Sequence, residues 1–174
     1  MSKEQTKELL KVAHDRLKQV CGELDHFLNH VSVPELLREA EDAGEETKNY
    51  LCEFLRDLRL LSVLCEASRE KASLVLRRSR FREDWAEKVL SEIMHSCVYA
   101  FYFPKNEVYE EDGRYSYTGQ EAIKFRRTPP TKLRDLVLSL SRTFECLREE
   151  LDYYETDYQT RVRMSLGMEL PGNG

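Results

Sequence analysis

Apolar residues in this chain recur at alternating intervals of three and four, in four long runs separated by turn-forming residues. Leu10, Ala13, Leu17, Val20, Leu24, Phe27 and Val31 draw one stripe along a helix over residues 3–30. A second stripe starts near residue 45 and passes through Leu51, Phe54, Leu58, Leu61, Cys65, Ser68, Ala72 and Val75, widened by Leu55 and Leu76. Phe81, Trp85, Val89, Ile93 and Cys97 mark a third helix that ends near residue 101. Leu133, Val137, Leu140, Phe144, Leu147, Leu151, Tyr154 and Tyr158 mark a fourth, which starts after Pro129-Pro130. A helix striped on one face must bury that face against a neighbour. Four such helices predict a mainly α fold, an up-down four-helix bundle. Ser32 before Pro34 predicts a short capped helix between the first two, closed near Gly44, and Ser79 is the expected cap of the third.

Residues 103–130, FPKNEVYEEDGRYSYTGQEAIKFRRTPP, break this periodicity. Prolines bound the stretch, Asp112-Gly113 is a two-residue turn signal, and the flanking Tyr and Val residues favour strands. A β-hairpin is therefore expected as an insertion between helices 3 and 4, longer than the usual helix–helix connection. A turn centred on Asp112-Gly113 sets Glu111 opposite Arg114 and Val108 opposite Tyr117, matching an acidic first half with a basic second half. Packing on one bundle end is expected through Val108, Ile123 or Phe125. The whole reads as one domain over residues 1–166, with residues 167–174 as a flexible tail.

At 174 residues, 41% of them hydrophobic, the chain can bury a core without disulfides or a structural metal. Its formal net charge of -5 gives no general affinity for nucleic acid or anionic membranes. The start, MSKEQTKELLK, lacks the apolar segment of a signal peptide, and no run approaches the roughly 18 apolar residues of a membrane span. These features predict a cytoplasmic protein with no membrane partner. The five cysteines are widely spaced within helical patterns, so reduced thiols that pack mostly as small core residues are expected, without a cofactor.

Helical bundles can hold a carboxylate-bridged metal pair through Glu-x-x-His motifs, and Glu23/His26 and Glu92/His95 have that spacing. The apolar stripes turn His26 and His95 away from the core, however, and His26 with His30 supplies only two ligands. Gly-rich phosphate loops and the Gly-x-Ser-x-Gly nucleophile motif do not occur. What the bundle does not require is the basic and aromatic mixture of Lys124, Phe125, Arg126 and Arg127 alongside Tyr115 and Tyr117. Such a mixture forms a protein-binding patch, or holds phosphates and stacks bases. Tyr153 falls off the fourth stripe and is expected to face a partner, whereas the corner RRSRFR at residues 77–82 reads as a solvated turn. The sequence thus predicts a non-enzymatic interaction or structural protein that uses its hairpin to contact another protein. A nucleic-acid or anion-binding module through residues 114–127 is the alternative, and a metal-dependent enzyme ranks third.

Two stretches, PKNEVYEEDGRYSYTGQEAIKFRRTPP and REELDYYETDY, resemble the YpuI-like family, uncharacterised cytoplasmic proteins of spore-forming Gram-positive bacteria. The resemblance implies a family identity and no catalytic residue.

Overall fold

The computed structural model describes residues 2–112 and 123–167, except the side chains of Tyr153 and residues 155–159. Helix α1 spans Lys3–His30 and opens on a capping box. The Ser2 hydroxyl accepts from the Gln5 amide while the Gln5 side chain accepts from the Ser2 amide. After Val31, Ser32 caps α2 (Val33–Glu39) by accepting from the Glu35 amide, with Pro34 in the first turn. Gly44 precedes α3 (Glu45–Arg77). Helix α4 (Glu83–Glu92) continues through a π-helical turn, Ile93–Val98, into α5 (Tyr99–Tyr102). Strands β1 (Tyr109–Glu111) and β2 (Ile123–Phe125) follow, and α6 (Thr131–Ser165) begins directly after Pro130.

The expected cap at Ser79 is not used. Helix α4 starts four residues later, with Arg82 before its first turn and no side-chain cap. Arg78 and Arg82 both have extended backbone, which lets Phe81 between them turn inward to 9% exposure. Burying that ring outweighs an early helix start.

The core sits where the stripes place it. Leu17, Leu58, Val89 and Leu140 are 0, 2, 7 and 0% exposed. Helix α1 packs on α3, α4 and α6, and the π turn packs between α3 and α6. Phe101 and Phe144 stack with ring centroids 4.4 Å apart. Phe27 and Val31, at the end of the first stripe, are only partly buried.

The two strands form an antiparallel hairpin, but not in the expected register. Tyr109 pairs with Phe125, Glu110 with Lys124 and Glu111 with Ile123. Glu111 therefore faces Ile123 and Val108 lies opposite Arg126; Gly113, Arg114 and Tyr117 of the expected turn and pairs lie outside the described residues. The amide of Arg126 donates to the Val108 carbonyl at 3.1 Å and extends the same register. Burial explains the choice. This pairing turns Tyr109 and Ile123 inward with Phe125 half-buried, and leaves the oppositely charged Glu110 and Lys124 exposed. Val108 is fully buried, so packing through Val108, Ile123 and Phe125 is as expected.

Candidate functional site

The backbone leaving β2 runs against the N-terminal half of α3, where Glu46, Tyr50 and Glu53 are spaced i, i+4 and i+7 and so share one helix face. Arg126 donates to the Glu53 carboxylate at 2.7 Å and to the Asn106 carbonyl at 3.2 Å, with its guanidinium 5.1 Å from the centre of the Tyr50 ring. Arg127 donates to Glu46 at 3.2 Å and to the Thr47 hydroxyl at 3.1 Å, with Asp42 at 3.8 Å. Beneath the pair, the Tyr50 hydroxyl lies 2.8 Å from the Val108 carbonyl and 3.3 Å from that of Arg127. Burial pushes the Tyr50 phenol up to about 12.

Three further ties hold the hairpin. The side chain of Asp57, a carboxylate only 8% exposed, accepts from the backbone amide of Asn106 at 2.9 Å and from its side-chain amide at 2.7 Å. Burial raises the Asp57 carboxyl above its ordinary value, against the lowering effect of these hydrogen bonds. On the other side, Arg148 of α6 makes a bidentate pair with Glu111 at 2.8 and 2.9 Å while its guanidinium lies 4.0 Å from the Tyr102 ring centre. The Tyr109 hydroxyl donates to the Phe101 carbonyl at 2.6 Å. The hairpin is thus strapped to α3 through the residues just before β1 and just after β2, and to α6 through β1.

Glu46, Asn49, Tyr50, Glu53, Arg126 and Arg127 line an open depression of about 340 Å³ at this junction. Each guanidinium there already faces a carboxylate. The site therefore offers little net positive charge and no isolated acid–base pair.

Of the residues singled out from sequence, Phe125, Arg126 and Arg127 come together in this strap. Phe125 stacks on Phe54 with centroids 6.2 Å apart. Lys124 points outward beside Glu110. Tyr115, Tyr117 and the Tyr153 side chain lie outside the described residues, as do residues 168–174 of the expected tail. Sequence reasoning missed Tyr50, Asp57, Asn106 and Arg148. The shared face of Glu46, Tyr50 and Glu53 on α3 is the signal that offered three of the strap's contacts. The Glu-x-x-His pairs do not converge. Glu23 accepts from the Ser139 hydroxyl, Glu92 pairs with Lys71 at 2.6 Å, and His26 and His95 are exposed. Among the described residues no group of three or more His, Cys, Asp or Glu side chains is placed to hold a metal ion. Cys21, Cys65 and Cys97 are buried, Cys52 is half-buried and Cys146 is exposed.

The family model described as protein of unknown function DUF3907 matches residues 10–160, a span that takes in the strap and nearly all of the helical core. The chain belongs to that family. It is also 37% identical over 139 residues to the uncharacterized protein YpuI of Bacillus subtilis (strain 168), an overlap of 80% of this chain and 75% of the relative. No solved structure matches it. Membership extends the resemblance seen in two short stretches to most of the chain, and it brings no activity with it.

Proposed function

We propose that this protein is a non-enzymatic, cytoplasmic interaction module, an up-down four-helix bundle that carries, between α5 and α6, a hairpin that contacts another protein. The observation that supports this reading is the strap. Arg126, Arg127, Tyr50 and Asp57 fix the base of the hairpin on one side and Arg148 fixes it on the other. A connection between two long helices does not need five tethering groups unless its position matters. Fixing the base lowers the ordering entropy of whatever the outer face, with Glu110 and Lys124, contacts. The carboxylates facing Arg126 and Arg127 favour a protein partner over a polyanion, because the two cations are already neutralised.

The test places a photo-crosslinking residue at Lys124 and, separately, replaces residues 113–122 with a Gly-Ser linker. On this reading Lys124 cross-links a discrete protein, and the linker variant keeps its helical circular-dichroism signal while losing that product. A purely structural hairpin gives no discrete product. A nucleic-acid partner gives one that nuclease removes and that weakens steeply with salt.

A further inference from the structure

A second surface, away from the strap and independent of its role, joins cations to exposed aliphatic side chains. The corner between α3 and α4, residues 77–82, carries four arginines and no carboxylate in a chain whose net charge is -5. Two contacts bring other helix ends to this corner. Lys7 of the first turns of α1 lies 5.8 Å from the centre of the Phe81 ring, and Arg161 near the end of α6 pairs with Glu87 at 3.1 Å. Arg163, Met164 and Leu166 follow Arg161, so they extend past α4 towards the same corner.

The charges here are only partly compensated. Arg77 pairs with Glu70 and Arg82 with Asp84, and Glu4, Glu8 and Glu83 also lie on the first turns of α1 and α4. Arg78, Arg80 and Arg163 make no ion pair among the described residues. Arg78 and Arg82 sit 4.1 and 5.0 Å from the Trp85 ring centre. That indole therefore already has its cation partners, and Phe81 is buried beneath Lys7. The apolar groups left in the open are aliphatic: Leu74, one turn before Arg78, at 52% exposure, and Met164 and Leu166 at 66% each.

We propose that this corner docks on an anionic phospholipid surface. Unpaired arginines meet lipid phosphates, and the aliphatic side chains enter the boundary between headgroups and acyl chains. Nucleic acid has no use for exposed Met and Leu, and it stacks on aromatic faces that this corner keeps covered. Among the described residues no helix is long and apolar enough to cross a membrane, so the contact is peripheral. Net charge alone argues against anionic membranes, but it averages over the surface, whereas binding responds to the local field.

The test is co-sedimentation of the full chain with vesicles rich in phosphatidylglycerol or made of phosphatidylcholine alone. The expected result is binding to the anionic vesicles only, released by salt. Arg80→Glu with Arg163→Glu, both exposed and without an ion pair among the described residues, lowers that binding by roughly tenfold or more with unchanged circular dichroism. Met164→Ser with Leu166→Ser weakens it separately, a readout that mere charge attraction does not move. No binding to anionic vesicles overturns the proposal, as does binding indifferent to either pair. So does tighter, serine-insensitive binding to a DNA oligonucleotide.

Discussion

The hydroxyl of Tyr50 on α3 reaches the carbonyl of Val108 at 2.8 Å, so a helix side chain anchors the backbone at the foot of β1. Val108 also accepts from the Arg126 amide, and its carbonyl keeps one partner if the phenol is removed. Tyr50→Phe is accordingly expected to cost about 1 kcal/mol in urea unfolding, with little change in helical signal.

Arg148 and Glu111 form the matching tie to α6, each less than a third exposed. Arg148→Ala removes two charge-assisted hydrogen bonds and the packing on Tyr102. Equilibrium unfolding is expected to show a loss of about 1–3 kcal/mol. A double-mutant cycle with Glu111→Gln should recover most of it as coupling between the two residues.

Asp57 gives the strap a pH signature. Its folded-state pKa lies above its ordinary value of 3.8, so the folded protein binds this proton more tightly than the unfolded chain does. The contribution is fully present below that ordinary value and is lost as pH rises through the raised one. The stability of the wild type relative to Asp57→Asn should therefore be greatest at the acid end and decline towards neutrality. Unfolding curves for both proteins across that range check it, and a difference that grows with pH defeats the assignment.

Glu107 closes the turn from Pro104 with φ of 50°, a left-handed conformation that disfavours side chains with a Cβ. Its side chain is exposed. Glu107→Gly relieves roughly 1–2 kcal/mol of backbone strain against roughly 0.5–1 kcal/mol of added unfolded-state freedom. A small rise in melting temperature is the expected outcome.

Leu58 stands for the core as a whole. It is 2% exposed on the face of α3 turned to the other helices, and Leu58→Ala should lower stability by about 2–5 kcal/mol.

The helices were legible because their signals are local. Ser2, Ser32 and Pro130 mark starts that hydrogen bonds and fixed proline geometry enforce within a few residues. The hairpin register was not. Asp112-Gly113 is a strong turn signal by itself, yet the pairing of Tyr109 with Phe125 is decided by what Phe54 and Phe101 offer those rings from other helices. Arg126 and Arg127 read as free surface cations for the same reason. Their carboxylate partners lie 73 and 81 residues away on α3, and nothing near them in sequence announces the meeting. Arg82 in place of Ser79 at the start of α4 is a third instance, where the burial of Phe81 displaces a good local cap.

The π turn at Ile93–Val98 bears on what length changes the third helix tolerates. A π turn takes about one residue more than an α turn to complete a revolution, so it works as a phase adjuster between the two ends of the rod. Upstream, Ala86, Val89 and Leu90 face inward; downstream, Phe101 meets Phe144 and Tyr102 meets Arg148. Deleting one residue from the α-helical part of the rod, such as Lys88, while the π turn persists turns everything after it by about 100°. Both rings then leave their partners, and the hairpin starts in the wrong direction. Insertions and deletions that a loop absorbs are therefore expected to be excluded from the α-helical parts of this rod, and the π turn is where the loss of one residue leaves Phe101 and Tyr102 in phase.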